Sequence, residues 1–261
     1  GISMNLTTRY AAQHLCVLST VDSTNNYLKQ HAADLPHGYA VVADCQTAGR
    51  GRLGRSFVSP SGSGIYISLL LRPNIPLERM HLMTVGAAIA ACEAIQETAG
   101  FTPDIKWVND VLMHGKKLCG ILTEASIEAE TGQLSYVIVG IGLNVRTPAG
   151  GLAPEIADIA GCLEDFAPHA VRRNALAASF FNHMESCCDL IAAGQTDALI
   201  DRYRSFIHFL GQPITVIRFD KREPATAVGI DSNGHLIIEQ NGQRSTLVAG
   251  EISIRLPEQT R

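Results

Sequence analysis

Between residues 104 and 145 apolar, β-branched runs alternate with connections too short to hold a helix. The runs fall at about 104–107, 111–114, 117–126 and 134–141, with Gly115 and Thr131-Gly132-Gln133 marking tight turns. Strands joined this way must run antiparallel, because a parallel neighbour needs a crossover of about a dozen residues. Further strands are expected at 14–19, 39–45 and 65–71. A helix starts near Ser23, with Asp22 or Ser23 as N-cap, and runs to about residue 33. Residues 77–98 read as a long helix ending before Gly100, and its small residues from Gly86 to Cys92 allow close packing on a sheet. Residues 147–169 form a loop rich in Ala, Gly and Pro, followed by helices at about 170–193 and 196–210. The fold class is therefore α+β: a mixed or antiparallel sheet with helices packed on one face.

Gly211-Gln212-Pro213 breaks the helical pattern. Four short strands follow at 214–219, 225–230, 235–240 and 244–249, with Ser232-Asn233-Gly234 and Asn241-Gly242 as hairpin turns. This gives a first domain over 4–210 and a small barrel-like domain over 211–261. With 46% hydrophobic and 18% charged residues in 261, the chain is an ordinary globular protein with a sizeable core. Its formal net charge of -4 argues against generic binding to nucleic acid or a membrane surface. Seven cysteines without a Cys-x-x-Cys pair fit a reduced, cytoplasmic protein that uses them as small core residues. The N-terminus has no secretory apolar region, and the longest apolar run, 137–143, is too short to span a bilayer. Gly1-Ile2-Ser3 ahead of Met4 resembles an expression scar and is left out of the fold reading.

On this acidic background, Gly49-Arg50-Gly51-Arg52-Leu53-Gly54-Arg55 concentrates three arginines and three glycines. The glycines permit close backbone approach, and the arginines offer permanent charge and a donor fork suited to carboxylate and phosphate. Following a buried strand, the segment reads as a flexible anion-gripping loop whose glycines favour disorder; a solvated surface loop is the alternative. Gly49-x-Gly51-x-x-Gly54 also matches a dinucleotide-binding pattern, but that motif must open a helix, and Pro60, Gly62 and Gly64 prevent one here. No Walker A sequence, Gly-x-Ser-x-Gly elbow or metal-ligand spacing of His or Cys occurs.

Four other segments carry chemistry. Lys106-Trp107-Val108-Asn109-Asp110 sets a cation, the only tryptophan and a carboxylate between two strands. If that strand ran straight, Lys106, Val108 and Asp110 would share a side. An acid and a base so close can position a nucleophile; they can equally form a structural ion pair. Lys116-Lys117-Leu118-Cys119-Gly120 puts an ammonium at the mouth of a strand, for an anion or for solvent. Gly140-Ile141-Gly142-Leu143-Asn144 interrupts an apolar strand with glycines that mark close approach or a bulge, with Asn144 as an amide contact. Ser23-Thr24-Asn25-Asn26 offers hydroxyls, amides and free N–H groups to a small polar ligand, or simply caps a helix.

Taken in order, these segments resemble the biotin protein ligase family. They are Ser23-Thr24-Asn25, Gln46-x-Ala48-Gly49-Arg50-Gly51-Arg52-x-Gly54-Arg55, Lys106-Trp107-x-Asn109-Asp110, Lys117-Leu118-x-Gly120-Ile121-Leu122-x-Glu124 and Gly140-Ile141-Gly142-x-Asn144-Val145. The tail, Gly250-Glu251-Ile252-Ser253, resembles the family's SH3-like domain. The resemblance implies a class II synthetase-like catalytic domain and a two-step reaction. Biotin and ATP form biotinyl-5'-adenylate and pyrophosphate, and the biotinyl group passes to a lysine of a biotin carboxyl carrier domain of a biotin-dependent carboxylase. It implies that Ser23, Thr24, Asn25 and Gln46 hold the biotin head group, and that Gly49, Arg50, Gly51, Arg52, Lys117 and Gly120 line its tail and carboxylate. It assigns Arg52, Arg55, Lys106, Asn109 and Asn144 to the nucleotide. Arg52, Lys117, Lys106 and Asp110 are its catalytic candidates, with Asp110 orienting or deprotonating the incoming lysine. Mg²⁺ accompanies ATP on its phosphates, and no protein metal site is expected.

Two positions depart from the family pattern. Phe57 stands where the loop usually ends in tryptophan, and Val108 where the Lys-Trp segment carries proline. Phe57 keeps an aromatic surface without the indole donor. Fewer than 25 residues precede Ser23, too few for the DNA-binding domain of some members, so a single-function enzyme without DNA or membrane binding is expected. A weak or ligand-promoted homodimer through a sheet edge is the expected assembly. The competing readings are a lipoate–protein ligase, a nonenzymatic biotin sensor and an RNA-binding protein. The complete Arg/Gly string favours biotin over lipoate.

Overall fold

The computed structural model describes residues 1–218, 221–248 and 252–255. Its first sheet has seven strands: β1 (Leu15–Val21), β2 (Ala40–Gln46), β3 (Gly64–Leu71), β4 (Asp104–Lys106), β5 (Asp110–Met113), β6 (Lys116–Ile127) and β7 (Leu134–Asn144). Their order is β1-β2-β3-β7-β6-β5-β4. Only β1 and β2 pair in parallel, joined through α1 (Thr24–His31); every other neighbour is antiparallel. The short turns after residue 104 act as expected. The Lys106–Asp110 segment does not run straight: β4 ends at Lys106, β5 starts at Asp110, and the two residues face each other across the hairpin.

Helices cover both faces of this sheet, not one. Ile65, Ile67, Leu69 and Leu71 of β3 enter the main core with α2 (His81–Ala99) and α3 (Arg173–Ala192). Leu70 instead joins Val41, Ile138, Leu28 and Ala32 in a second cluster beneath α1. Successive strand side chains point to opposite faces, so α1 and the α2–α3 pair lie on opposite sides. Every residue of β3 is buried, and a run buried on both faces carries no alternation to reveal it.

Residues 77–79 form a separate 3-10 turn before α2, which ends at Gly100 with φ 78° and its N–H on Gln96 O at 3.2 Å. The small residues of α2 admit α3 as well as the sheet: a Cβ on Gly86 would stand 3.1 Å from Cys187 Cβ. α4 (Thr196–Ser205) stops five residues short of expectation, because the Phe206 carbonyl leaves the helix to accept Ile105 N–H of β4 at 2.7 Å.

The second sheet, all antiparallel, has the order β11-β10-β9-β8-β12. Its strands are β8 (Pro213–Arg218), β9 (Lys221–Ile230), β10 (Leu236–Gln240), β11 (Gln243–Leu247) and β12 (Ile252–Arg255). β12, too short to stand out in the sequence, pairs with β8. Residues 219 and 249 of the expected strands, and Gly250 and Glu251 of the tail motif, lie outside the described residues. Ile214, Val216, Leu236 and Ile238 share one continuous core with α2 and α3. Among the described residues, no helix is long and apolar enough to cross a membrane.

Ile2, left out of the fold reading, has its side chain buried in the main core. The segment after it is fastened to α3 by Glu185, whose carboxylate accepts the N–H groups of Arg9, Tyr10 and Ala11 at 2.7, 2.9 and 2.9 Å. Burial alone would raise the Glu185 pKa; the hydrogen bonds from Ala11, Arg9 and Tyr10 outweigh it and hold the carboxyl below its usual range. A depressed carboxylate stabilises the fold above its unfolded pKa, about 4.3, and loses that contribution as pH falls through the folded value. Glu185→Gln therefore costs about 1–3 kcal/mol at pH 7 in urea unfolding. The deficit shrinks as pH drops below about 4; a deficit independent of pH would contradict this account.

Candidate active site

The site lies on the α1 face of the sheet, where the strands carry glycine. Gly120 of β6 faces Gly142 of β7, and Leu122 faces Gly140, with no register shift between them. The glycines therefore mark close approach rather than a bulge. A Cβ on Gly140 would fall 2.1 Å from Asn25 Oδ1, and one on Gly142 would fall 2.5 Å from the Phe57 ring. On Gly120 it would meet the same ring at 3.0 Å and Lys117 Cε at 3.1 Å. Three bare positions thus let the Asn25 amide and the Phe57 ring lie directly on the sheet.

Ser23 is the N-cap of α1, and its hydroxyl accepts Asn26 N–H at 3.5 Å. Thr24 N–H donates to Gln46 Oε1 at 2.9 Å, and Gln46 Nε2 donates to Ser59 Oγ at 3.0 Å. Ser68, the one polar residue among the apolar positions of β3, sits 2.7 Å from Thr24 Oγ1 and 2.6 Å from Asn25 Oδ1. Helix capping and the polar cluster are thus two uses of the same four residues.

The Arg/Gly segment is a folded hairpin excursion rather than a disordered loop. Gln46 N–H donates to Ser59 O at 3.0 Å, Phe57 N–H to Gly49 O at 2.8 Å and Gly51 N–H to Arg55 O at 2.7 Å. Its tip is a 3-10 turn, Arg52–Gly54. Arg50 Nη1 donates to Asn26 Oδ1 at 3.0 Å and to Glu124 at 3.0 Å, and Arg52 Nη1 donates to Asn109 Oδ1 at 2.9 Å. Lys117 Nζ stands 2.7 Å from Asp110 Oδ1 and 5.9 Å from the centre of the Phe57 ring. Burial, reinforced by Arg55 against the pull of Asp110, lowers the Arg52 pKa. Burial also pushes Lys106 below the usual lysine range, with Lys117, Arg255 and Arg55 adding to it and Asp110 opposing.

Two cavities adjoin here. The first is lined by Ser23, Thr24, Asn25, Gln46, Arg50, Gly51, Arg52, Lys117 and Gly120, together with Phe57, Leu122, Gly140 and Gly142. The second is lined by Arg52, Arg55, Lys106, Asn109, Asp110, Lys117 and Asn144. Gly51, Arg52, Phe57, Asn109 and Lys117 belong to both. All the sequence-selected residues meet at this pair of cavities except Gly49, which lines neither. Gly49 instead closes the hairpin stem, where a Cβ would fall 2.3 Å from Phe57 O.

Trp107 lines the second cavity, and its Nε1–H donates to Gly234 O at 3.1 Å, tying the hairpin to the C-terminal sheet. Asn144 Nδ2 donates to Gly161 O at 3.2 Å, holding the 147–169 loop against the end of β7. Reading the sequence missed Ser68, whose signal is a serine inside an apolar strand. It also missed Ile156, Ile159, Ile217, Ile254 and Arg255 in the second cavity, which only the tertiary fold brings there. Among the described residues, no group of three or more His, Cys, Asp or Glu could hold a metal ion.

Gly140→Ala forces the pinned Asn25 amide off the sheet. It costs about 1–3 kcal/mol in urea unfolding, as overpacking does. Gly150→Ala, at a position where a Cβ meets nothing within 4 Å, changes stability by less than about 0.5 kcal/mol. Equal effects at both positions would contradict the close-approach reading.

Comparison with known proteins gives the family. Residues 17–144 match the Biotin/lipoate A/B protein ligase family, and residues 209–255 match the Biotin protein ligase C terminal domain. The chain is similar to the Bifunctional ligase/repressor BirA of Bacillus subtilis, at 36% identity over 97% of this chain and 78% of the relative. It is similar to the Biotin--[acetyl-CoA-carboxylase] ligase of Mycobacterium tuberculosis, at 28% identity over 92% of this chain and 88% of the relative. The biotin protein ligase from Aquifex aeolicus, solved in complex with biotin and ATP, superposes with a TM-score of 0.81 at 28% identity, covering 94% of this chain and 100% of that one. By sequence and by fold the chain belongs to the biotin protein ligase family of enzymes.

Proposed function

We propose that the chain joins biotin to ATP as biotinyl-5'-adenylate and then passes the biotinyl group to a lysine of a biotin carboxyl carrier domain. The observation that carries this reading is the pair of adjoining cavities that share Arg52 and Lys117. Biotin occupies the first, over the glycine floor, and ATP the second, so that carboxylate and α-phosphate meet at the shared cations. The Aquifex relative, whose structure holds both molecules, supports these substrates. Residues 4–210 are the catalytic domain in this reading. Residues 211–261 are the SH3-like domain, which contributes Ile217, Ile254 and Arg255 to the nucleotide cavity.

A carboxylate oxygen of biotin attacks the α-phosphorus, and pyrophosphate leaves. Two anions approach in this step, and Arg52, Lys117, Lys106 and Arg55 offset their repulsion in a partly desolvated site. Mg²⁺ would come with ATP on its phosphates and offset their charge, and Asp110 and Asn109 would be the oxygen donors lining the cavity beside it. In the second step a carrier lysine amine attacks the anhydride carbonyl, AMP leaves, and Asp110 takes or directs the amine's proton. Enclosure by the Arg/Gly hairpin keeps water from the anhydride.

Biotin-dependent pyrophosphate release from ATP tests this, with lipoate as control. Release occurs with biotin, and Lys117→Ala and Arg52→Ala each lower the rate by about a hundredfold or more. Release with lipoate alone, or with neither acid in folded protein, would overturn it.

Lys106 gives a pH signature. Its charged form holds phosphate, and its pKa is lowered by burial. The kcat/KM for ATP therefore falls on the alkaline side, as pH rises through a value below the usual lysine figure of about 10.4. Lys106→Arg, which keeps its charge, moves that limb to higher pH; an unmoved limb would remove Lys106 from this role.

A further inference from the structure

Glu124 belongs to neither set of residues assigned to the substrates. It lies on β6, on the face shared with Gly120 and Leu122. Its Oε2 accepts Asn25 Nδ2 at 3.0 Å. Its two oxygens accept Arg50 Nη1 at 3.0 and 3.1 Å, and Lys29 Nζ stands 3.9 Å from Oε1. One half-buried carboxylate thus ties α1, the Arg/Gly hairpin and β6 together.

The carboxylate also dictates direction. It only accepts hydrogen bonds, so the atom of Asn25 facing it must be Nδ2, which also reaches Leu122 O at 3.3 Å. Asn25 Oδ1 is thereby turned to Ser68 Oγ at 2.6 Å, and Ser68 must spend its single hydrogen there. Thr24 Oγ1, 2.7 Å from Ser68 Oγ and 3.1 Å from Gln46 Oε1, then faces two acceptors with its single hydrogen. Thr24 Oγ1 is left with lone pairs and no hydrogen for the cavity. Asn25, and through it Ser68, takes its orientation from Glu124 together with the Leu122 carbonyl.

We infer that Glu124 is a positioning residue for the acid substrate: its carboxylate fixes the hydrogen-bond direction of the Asn25–Ser68–Thr24 row and latches Arg50 beside the cavity. The row so oriented leaves Thr24 Oγ1 with lone pairs alone toward the cavity. This inference rests on the biotin reading above.

The test compares the full chain with its Glu124→Gln and Glu124→Asp variants. Three quantities are read: KM for biotin and for ATP in pyrophosphate release, the thermal midpoint, and the rate of tryptic cleavage after Arg50 and Arg52 in free protein. Glutamine keeps the size but has one acceptor oxygen where glutamate has two, so its NH2 faces either the Asn25 or the Arg50 donor, and the anion is removed from Arg50. Glu124→Gln raises the biotin KM about tenfold, the scale of one charge-assisted hydrogen bond. It leaves the ATP KM within about twofold, because Glu124 lies outside the nucleotide cavity. Hairpin cleavage accelerates, and Glu124→Asp recovers part of the biotin KM. An unchanged biotin KM would overturn the inference. So would a parallel rise of both KM values with a fallen thermal midpoint in both variants, which marks a merely structural role. Should the wild-type chain release no pyrophosphate with biotin, the ligase reading fails. The cleavage rate then still decides the latch: faster in Glu124→Gln supports it, and unchanged overturns it.

Discussion

The absence of side chains at Gly120, Gly140 and Gly142 is the constraint on which the rest of the site depends. Antiparallel pairing sets Gly120 opposite Gly142 and Gly140 opposite Leu122, so the bare positions form one floor. On that floor the Asn25 amide and the Phe57 ring approach the sheet more closely than any Cβ would allow. Asn25 anchors the start of α1, and Phe57 anchors the return limb of the Arg/Gly hairpin. The walls of the first cavity are therefore hung from the floor. Overpacking one floor position reaches the hairpin arginines through Asn25, Glu124 and Arg50.

Charge is handled by pairing rather than by exposure. An overall acidic chain gathers Arg50, Arg52, Arg55, Lys106 and Lys117 around two small cavities. Such a cluster is costly unless its members have partners. Arg50 has Glu124 and Asn26, Lys117 has Asp110, and Arg52 has Asn109. Arg50, held by the Glu124 carboxylate and the Asn26 amide, pins the Arg/Gly hairpin to β6 and α1.

Much of this was legible in sequence, for local reasons. Short turns fixed the antiparallel run, and Ser23 announced α1 through its capping chemistry. The paired glycines of β7 marked a close approach. What stayed hidden is what only tertiary structure assembles. Ser68 looked like one residue of a buried strand until α1 was laid over it. Glu124 was part of a recognisable string but had no role until Arg50 folded back onto it. The covering of both sheet faces escaped notice because β3 is buried throughout and shows no alternation. Ile217, Ile254 and Arg255 come to the second cavity from a sheet more than a hundred residues away in sequence from Lys106. Trp107 does line the second cavity, and its bond to Gly234 O, which links the hairpin to the C-terminal sheet, is a second use that the sequence did not show.

The central claim is that a carboxylate oxygen attacks the α-phosphorus at the cations shared by the two cavities. Biotin labelled with ¹⁸O in its carboxylate tests it most directly, in a turnover with ATP and a biotin-accepting carrier domain. The account predicts that one labelled oxygen per turnover appears in AMP, because the carboxylate oxygen bonded to phosphorus stays there when the lysine amine takes the acyl group. Label in inorganic phosphate, with ADP as the other product, would place the attack at the γ-phosphorus and contradict the account.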